Sequence, residues 1–296
     1  MINSIVKNFL ENSRHYSWSL CLAGLMVASD LTTHQPAIEQ PIQNVVNAEP
    51  CSINNSAFQD GEQIVYKIYY NWNFVWLPAG EVTFNVADEG NLYHLSARGR
   101  TYPSYEWFFK VRDNYDTYID KTTLLPVKSV REVHEGNYHL YDYVIFDQEK
   151  QMATSWRGDS KDKTKRTDYT LSSNCMHDML SVIYYTRNLN FEEYKKGTKI
   201  PVKVFLDKEV YPLGVSYKGK DATKKIRDHS GSFRTIKLSP QLVAGTVFKE
   251  GDEMSLWASD DDNHLPLMIE SPVSVGSVKV VLKNYKGLKY DFKAKN

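Results

Sequence analysis

The chain has 296 residues, and its 36 Lys and Arg balance its 36 Asp and Glu. A hydrophobic fraction of 42% with 24% charged residues excludes an intrinsically disordered chain and a multi-span membrane protein, and zero net charge leaves no basic footprint for nucleic acid. The distinctive quantity is aromatic content, 20 Tyr, 12 Phe and 6 Trp, a composition that favours strands.

Lys7 and Arg14 precede an apolar run from Trp18 to Ala28. A basic start, about 7–15 apolar residues and a small-residue boundary make a secretory signal peptide, expected over residues 1–29. The alternative is an N-terminal anchor, but the run is shorter than the roughly 20 residues that span a bilayer. Residues 30–56 are rich in Pro, Gln, Asn and Thr without an apolar period, and are expected to be a flexible spacer. Residues 57–296 are expected to form one domain. Cys51 ends the spacer, and Cys175 is the other cysteine left once a leader containing Cys21 is removed. In an oxidising compartment Cys51 and Cys175 are a candidate disulfide; two separate thiols are the alternative, because sequence does not show that the sulfurs approach.

From Ile64 to Trp76 every even position is apolar or aromatic. This alternation predicts one strand with one buried face. At roughly 3.3 Å per residue it would extend about 40 Å, with Asn71 and Asn73 marking a bend or bulge. Gly90-Asn91 and Gly136-Asn137, each between alternating segments, predict two-residue hairpins in which Gly supplies positive φ. A third hairpin is expected over Arg157–Lys165. Further strands are expected at 113–119, 199–206, 209–217, 223–236, 254–259, 265–271 and 277–285. A helical turn is expected at Ser104–Phe109. In Ser173–Arg187, Met176, Met179, Leu180, Ile183 and Tyr184 recur at helical spacing, with Ser173 or Asn174 as cap. The fold class is mainly β (α+β): a large curved antiparallel sheet or half-barrel with one main helix packed on one face, inside the curve.

Several motifs imitate catalytic ones. The segment Gly214–Lys220 nearly spells a phosphate loop, but Asp221 replaces the Ser or Thr that would hold magnesium, and Gly219 suits a turn. His134 and His139 are expected to face each other across a hairpin, with no third metal ligand evident. Asp260-Asp261-Asp262-Asn263 lacks the later Gly and Glu of a calcium loop and suits a turn. A paired-carboxylate glycosidase would draw on Asp178 and Asp261 by elimination. No Gly-x-Ser-x-Gly turn exists, and Cys175 has no assignable His or Asn partner. No catalytic residue, cofactor or metal is therefore expected.

The aromatic stripe is the remaining candidate. Tyr70, Trp72, Phe74 and Trp76, with Tyr102, Tyr105, Trp107 and Phe108, supply more aromatic surface than a strand core needs. Either they form a sheet core with aromatic edges, or they line an apolar groove for a lipid or acyl chain. Rim Trp and Tyr also suit sugar rings. Tyr70, Trp72, Trp76, Tyr102 and Trp107 are the expected ligand-binding residues.

Ala57-Phe58-Gln59-Asp60-Gly61-Glu62, Tyr69-Tyr70-Asn71-Trp72 and Pro78-Ala79-Gly80-Glu81 together resemble the start of an exported bacterial family. That family is a domain of unknown function (DUF3108) common in Bacteroidetes. The spacing Cys175, Asp178, Ser181, Tyr184, Tyr185, Arg187 is similar to its helix. Asp261–Pro266 and Pro272–Ser277 are similar to its closing hairpin. The resemblance implies a periplasmic or outer-membrane-associated antiparallel sheet, a half-barrel similar to envelope lipoprotein carriers, and supplies no reaction. The expectation is an exported non-enzymatic protein binding a lipid or other amphipathic envelope component. Its rivals are a glycan-binding or glycan-cleaving protein and a scaffold partnering an outer-membrane protein.

Overall fold

The structure, a computed structural model, describes residues 53–72, 75–107, 109–242, 253–273 and 276–296. The expected signal peptide, nearly all of the spacer, Cys51, Phe74, Phe108 and the side chain of Trp72 lie outside the described residues.

In chain order the strands are β1 (Gln63–Trp72), β2 (Val75–Glu89), β3 (Leu92–Thr101), β4 (Arg112–Asp120), β5 (Pro126–Glu135), β6 (Tyr138–Asp147), β7 (Met152–Gly158) and β8 (Thr164–Thr170). The helix α1 (Met179–Arg187) follows, then β9 (Lys199–Leu206), β10 (Glu209–Lys224), β11 (Phe233–Pro240), β12 (Ser255–Ser259), β13 (Pro266–Pro272) and β14 (Ser277–Lys286). All belong to one antiparallel 14-stranded sheet. Its order is β8-β7-β6-β5-β4-β3-β2-β1-β14-β13-β12-β11-β10-β9, so β8 and β9 are its two edges.

The hairpin signals hold. Glu89 pairs with Leu92 and Glu135 with Tyr138, and Gly90 and Gly136 carry positive φ. Gly158 pairs with Thr164 around a 3-10 turn at Lys161–Lys163.

Three expectations change. The long strand over 64–76 is two strands, because the chain reverses after Trp72 and pairs Trp72 with Val75 and Asn71 with Trp76. The strands expected at 209–217 and 223–236 divide elsewhere. β10 runs on through Gly219, whose φ of +97° accommodates a bulge at Lys218, and β11 starts only at Phe233. Gly219 is thus a bulge residue rather than a turn residue.

The helix also starts later than expected. Asp178, not Ser173 or Asn174, caps α1: its carboxylate accepts from Ser181 N while the Ser181 hydroxyl accepts from Asp178 N. The chain before Asp178 is not helical, and β9 takes up the backbone of His177. His177 N donates to Lys203 O at 2.9 Å, and Phe205 N donates to His177 O at 2.8 Å. Gln148, in the β6–β7 turn, holds both Met176 N (3.1 Å) and Met176 O (2.8 Å) through its amide.

This segment therefore spans the gap between the two ends of the sheet, which curls round to meet it. α1 lies inside the curl against β3, β4 and β9. Met179, Leu180, Val182, Tyr184, Tyr185 and Arg187 are all buried, as expected of a helix enclosed on nearly every side.

Candidate functional site

The inner surface of the curl divides into two walls. On β1 the inward side chains Ile64, Tyr66, Ile68 and Tyr70 are buried, and Val280 and Leu282 of β14 lie beside them. This wall is apolar. It changes character at the β1–β2 end. Directly opposed residues of an antiparallel pair share a face, so Leu77, opposite Tyr70, continues the inner wall. Tyr70 is 7% exposed, whereas Leu77 is 40% and Val75 56% exposed. The apolar wall thus emerges into solvent at this end. The next connection at the same end, β3–β4, carries Trp107, 78% exposed.

The expected ligand residues therefore do not share one face. Trp76 lies opposite Asn71 on the outer face, beneath Lys279 Nζ at 4.5 Å from its ring centroid. Tyr102 also turns outward, where its hydroxyl donates to Glu81 Oε1 at 2.6 Å; Glu81 pairs across the sheet with Lys67 and takes a charge-assisted bond from Lys283. Burial first, and then the Glu81 carboxylate, push the Tyr102 phenol above its ordinary range. Among the described side chains Tyr70 alone of the five lies on a strand of the inner wall, and Trp107 rises from the loop beside it.

On the inner wall of β4–β7 charged and polar side chains are interleaved with apolar ones. Arg131 of β5 and Arg157 of β7 flank Asp142 of β6, whose Oδ2 accepts from both at 2.8 and 3.1 Å. The Asp142 Oδ1 accepts from Ser155 Oγ at 2.8 Å. From across the gap, Asp207 of the β9–β10 turn offers Oδ1 to the same two guanidinium groups, at 2.7 and 2.6 Å. Burial alone would raise the Asp207 carboxyl, but the charges of Arg131 and Arg157 hold it at about 2. A pocket of ≈ 20 Å³ lies beside this cluster, lined by Thr117, Ser129, Arg131, Asp142, Asp178 and Asp207 among others; that is room for about one water. Higher on the wall, Asp113 and Glu135 are both buried. Burial, then the neighbouring Glu135 charge, raise the Asp113 carboxyl well above its ordinary value, while His134 N donates to its Oδ1 at 3.1 Å.

The acids nominated for hydrolysis are committed elsewhere. Asp178 accepts from Thr117 Oγ1 as well as from its helix cap, and burial raises its pKa. Asp261 accepts from Ser259 Oγ (2.7 Å) and Asn263 N (3.2 Å), and from Lys293 N and Ala294 N of the C-terminal segment at 3.0 and 3.2 Å. It is a turn residue. His134 and His139 stack edge to face at 5.0 Å on the exposed side of their hairpin. Among the described residues no group of three or more His, Cys, Asp or Glu is placed to hold a metal. Cys175 is disulfide-bonded; the expected pairing with Cys51 involves a residue outside the described ones.

Three of the patches that carry the family resemblance, 57–62, the helix and 261–266, meet in space. Arg187, at the end of α1, forms a two-pronged ion pair with Glu62 (2.6 and 2.8 Å) and donates to Ala57 O (3.1 Å) and Asn263 O (3.2 Å). His264 Nδ1 lies 2.7 Å from Arg187 O, and Asn188 Oδ1 accepts from Ala57 N at 3.0 Å. Phe58 packs edge to face on Tyr184 at 4.9 Å. These residues fasten residues 57–62, the helix and the β12–β13 turn together into a structural knot.

Comparison with solved structures places the architecture beside a beta-barrel-like protein of domain of unknown function DUF1849 from Brucella abortus. Its TM-score is 0.52 at 11% identity, covering 79% of this chain and 100% of that one. Two others cover 80% of this chain and 100% of theirs at 11% identity. One, from Parabacteroides distasonis, is provisionally called a lipoprotein; the other, from Bacteroides fragilis, is provisionally called an exported protein with a YmcC-like fold. At a TM-score of 0.28 they superpose too little to argue from. No curated protein matches the sequence. Residues 65–283 match the family described as protein of unknown function (DUF3108), and the chain belongs to that family.

Proposed function

We propose that this chain is an exported, non-enzymatic envelope protein that receives an amphipathic envelope component, a lipid or a lipoprotein acyl chain, where its apolar inner wall opens at the β1–β2 end. The observation that carries this reading is the change along one face, from Tyr70 buried to Leu77 and Val75 exposed. Trp107 on the adjoining connection adds an aromatic rim. Each methylene removed from water contributes about 0.8 kcal/mol, so burying about ten supplies the scale of a micromolar affinity before ordering costs are counted. The commitment of Asp178 and Asp261 to backbone and turn bonds supports the non-catalytic half of the reading. Export rests on the basic-then-apolar leader.

Organic extraction of the purified chain followed by mass spectrometry is expected to recover a bound lipid. Brominated fatty acids are expected to quench its Trp fluorescence saturably, and Leu77→Asp to weaken that quenching at least tenfold. A clean extract together with no quenching overturns the reading.

A further inference from the structure

Two guanidinium groups on an inner wall, bridged by a single carboxylate oxygen from another hairpin, form an arrangement that binds oxyanions. We propose that Arg131 and Arg157 constitute a latent binding site for an oxyanion, a phosphate monoester or a carboxylate, and that Asp207 is the internal stand-in that occupies it in the closed form.

The two carboxylates of the cluster are not equivalent. Asp142 sits on β6, between the arginine-bearing strands, and its second oxygen is tied to Ser155. It belongs to the wall. Asp207 arrives from the β9–β10 turn, and β9 is a sheet edge that is not paired with β5, β6 or β7. Its own contact with that wall is the ion contact through Oδ1 to the two arginines, while Phe205 of the same hairpin packs on Phe146 of β6. Asp207 and Lys208 hold φ of +48° and +73°, left-handed conformations that cost side-chain-bearing residues energy. Both belong to the two-residue hairpin turn between the paired Leu206 and Glu209, which requires positive φ at its two central residues, so the turn keeps its shape whether or not Asp207 touches the arginines and acts as a latch through that side chain alone.

Charge and space agree with this assignment. Closed, the cluster holds two cations and two anions; with Asp207 withdrawn it holds one excess positive charge. The water-sized pocket already adjoins Arg131, and Thr117 and Ser129 add hydroxyls to its lining. An entering oxyanion would replace the Asp207 oxygen between the same two donors, and no backbone ladder bond would have to break. The site does not depend on acyl-chain uptake at the β1–β2 end, since inorganic phosphate has no chain to bury.

The test is calorimetric titration of the wild-type chain, Asp207→Ala and Asp207→Ala/Arg157→Gln with inorganic phosphate and with dodecyl phosphate. Asp207→Ala is expected to bind inorganic phosphate at least tenfold more tightly than wild type, and the added Arg157→Gln to abolish the gain. Tighter binding of dodecyl phosphate assigns the site to a lipid headgroup, and equal binding to a free anion. In the wild-type chain, the backbone amide resonance of Lys208 is expected to shift saturably with phosphate as the latch yields. If folded Asp207→Ala binds neither probe, the cluster is only a fastening and the proposal fails. Should that variant not fold, an unmoved Lys208 amide in wild type overturns it equally.

Discussion

The two inner walls of this sheet follow the same alternation yet are built on opposite principles. Along β14–β1–β2–β3 the inward positions are mostly Ile, Val, Leu, Phe and Tyr, with Gly80, Ala97, Gly99 and Thr101 among them, and each fully buried large apolar side chain contributes about 1.5–3 kcal/mol. Along β4–β7 the inward positions include Asp113, Thr117, Arg131, Glu135, Asp142 and Arg157. Each buried ion there costs several kcal/mol before its partner offsets the loss. Stability explains the first wall and does not explain the second. A polar interior retained at that cost is where function is best sought, with the emergent end of the apolar wall as its counterpart.

The contrast can be broken most severely at the Glu62–Arg187 pair, sunk beneath the apolar wall. Glu62→Ala leaves Arg187 buried and unpaired. It is expected to lower unfolding free energy by about 3–5 kcal/mol, read from urea denaturation. Mild destabilisation would mean that the knot is looser than its geometry.

Next in size is the acid response of the closing segment. Burial lowers the His177 pKa from 6.5 to about 3. Below pH 6.5 the unfolded chain therefore takes up a proton that the folded chain refuses. Stability should fall by roughly 1.4 kcal/mol per pH unit until the pH nears 3. His177→Gln should flatten this slope in urea midpoints measured between pH 7 and 4.

Asp113 works in the other direction. Its folded pKa is raised above 3.8, so above that pH the unfolded chain releases a proton that the folded chain keeps, and stability declines as pH rises. Asp113→Asn, which preserves an acceptor for His134 N, should raise stability at pH 8 by about 1–3 kcal/mol. The smallest stability effect belongs to the exposed end of the apolar wall. Leu77→Ala should change unfolding free energy by less than about 0.5 kcal/mol while weakening acyl-probe binding.

Much of the sheet was legible because its signals are local. Gly90-Asn91 and Gly136-Asn137 mark turns that demand positive φ at a fixed place. The pairing of Trp72 with Val75 was not legible, because the sequence between them, Asn73-Phe74, carries neither Gly nor Pro. Trp76 also happens to extend the even-numbered run while lying on the opposite face. Met176 likewise fits a helical stripe but packs with Val144, Phe146 and Phe205 at the seam. Asp178 followed three residues later by Ser181 was a capping signal present in the sequence and outweighed by that stripe. The arginine–aspartate cluster had only part of such a signal: the Gly136-Asn137 hairpin sets Arg131 opposite Asp142, but nothing local points to Asp207. The four members sit on separate elements, with bonded partners 11 to 76 residues apart; strand register sets Arg131, Asp142 and Arg157 side by side, and only the curl of the sheet brings Asp207 to them.

The central claim is that the apolar wall is open to a guest at the β1–β2 end. Photo-crosslinking with a diazirine-bearing fatty acid, followed by peptide mapping, tests it most directly. Adducts concentrated on Val75–Pro78 and Trp107 are the predicted result. Labelling that spares these residues, or that is no greater there than at the exposed apolar side chains Val127, Ile145 and Met152, would contradict the account.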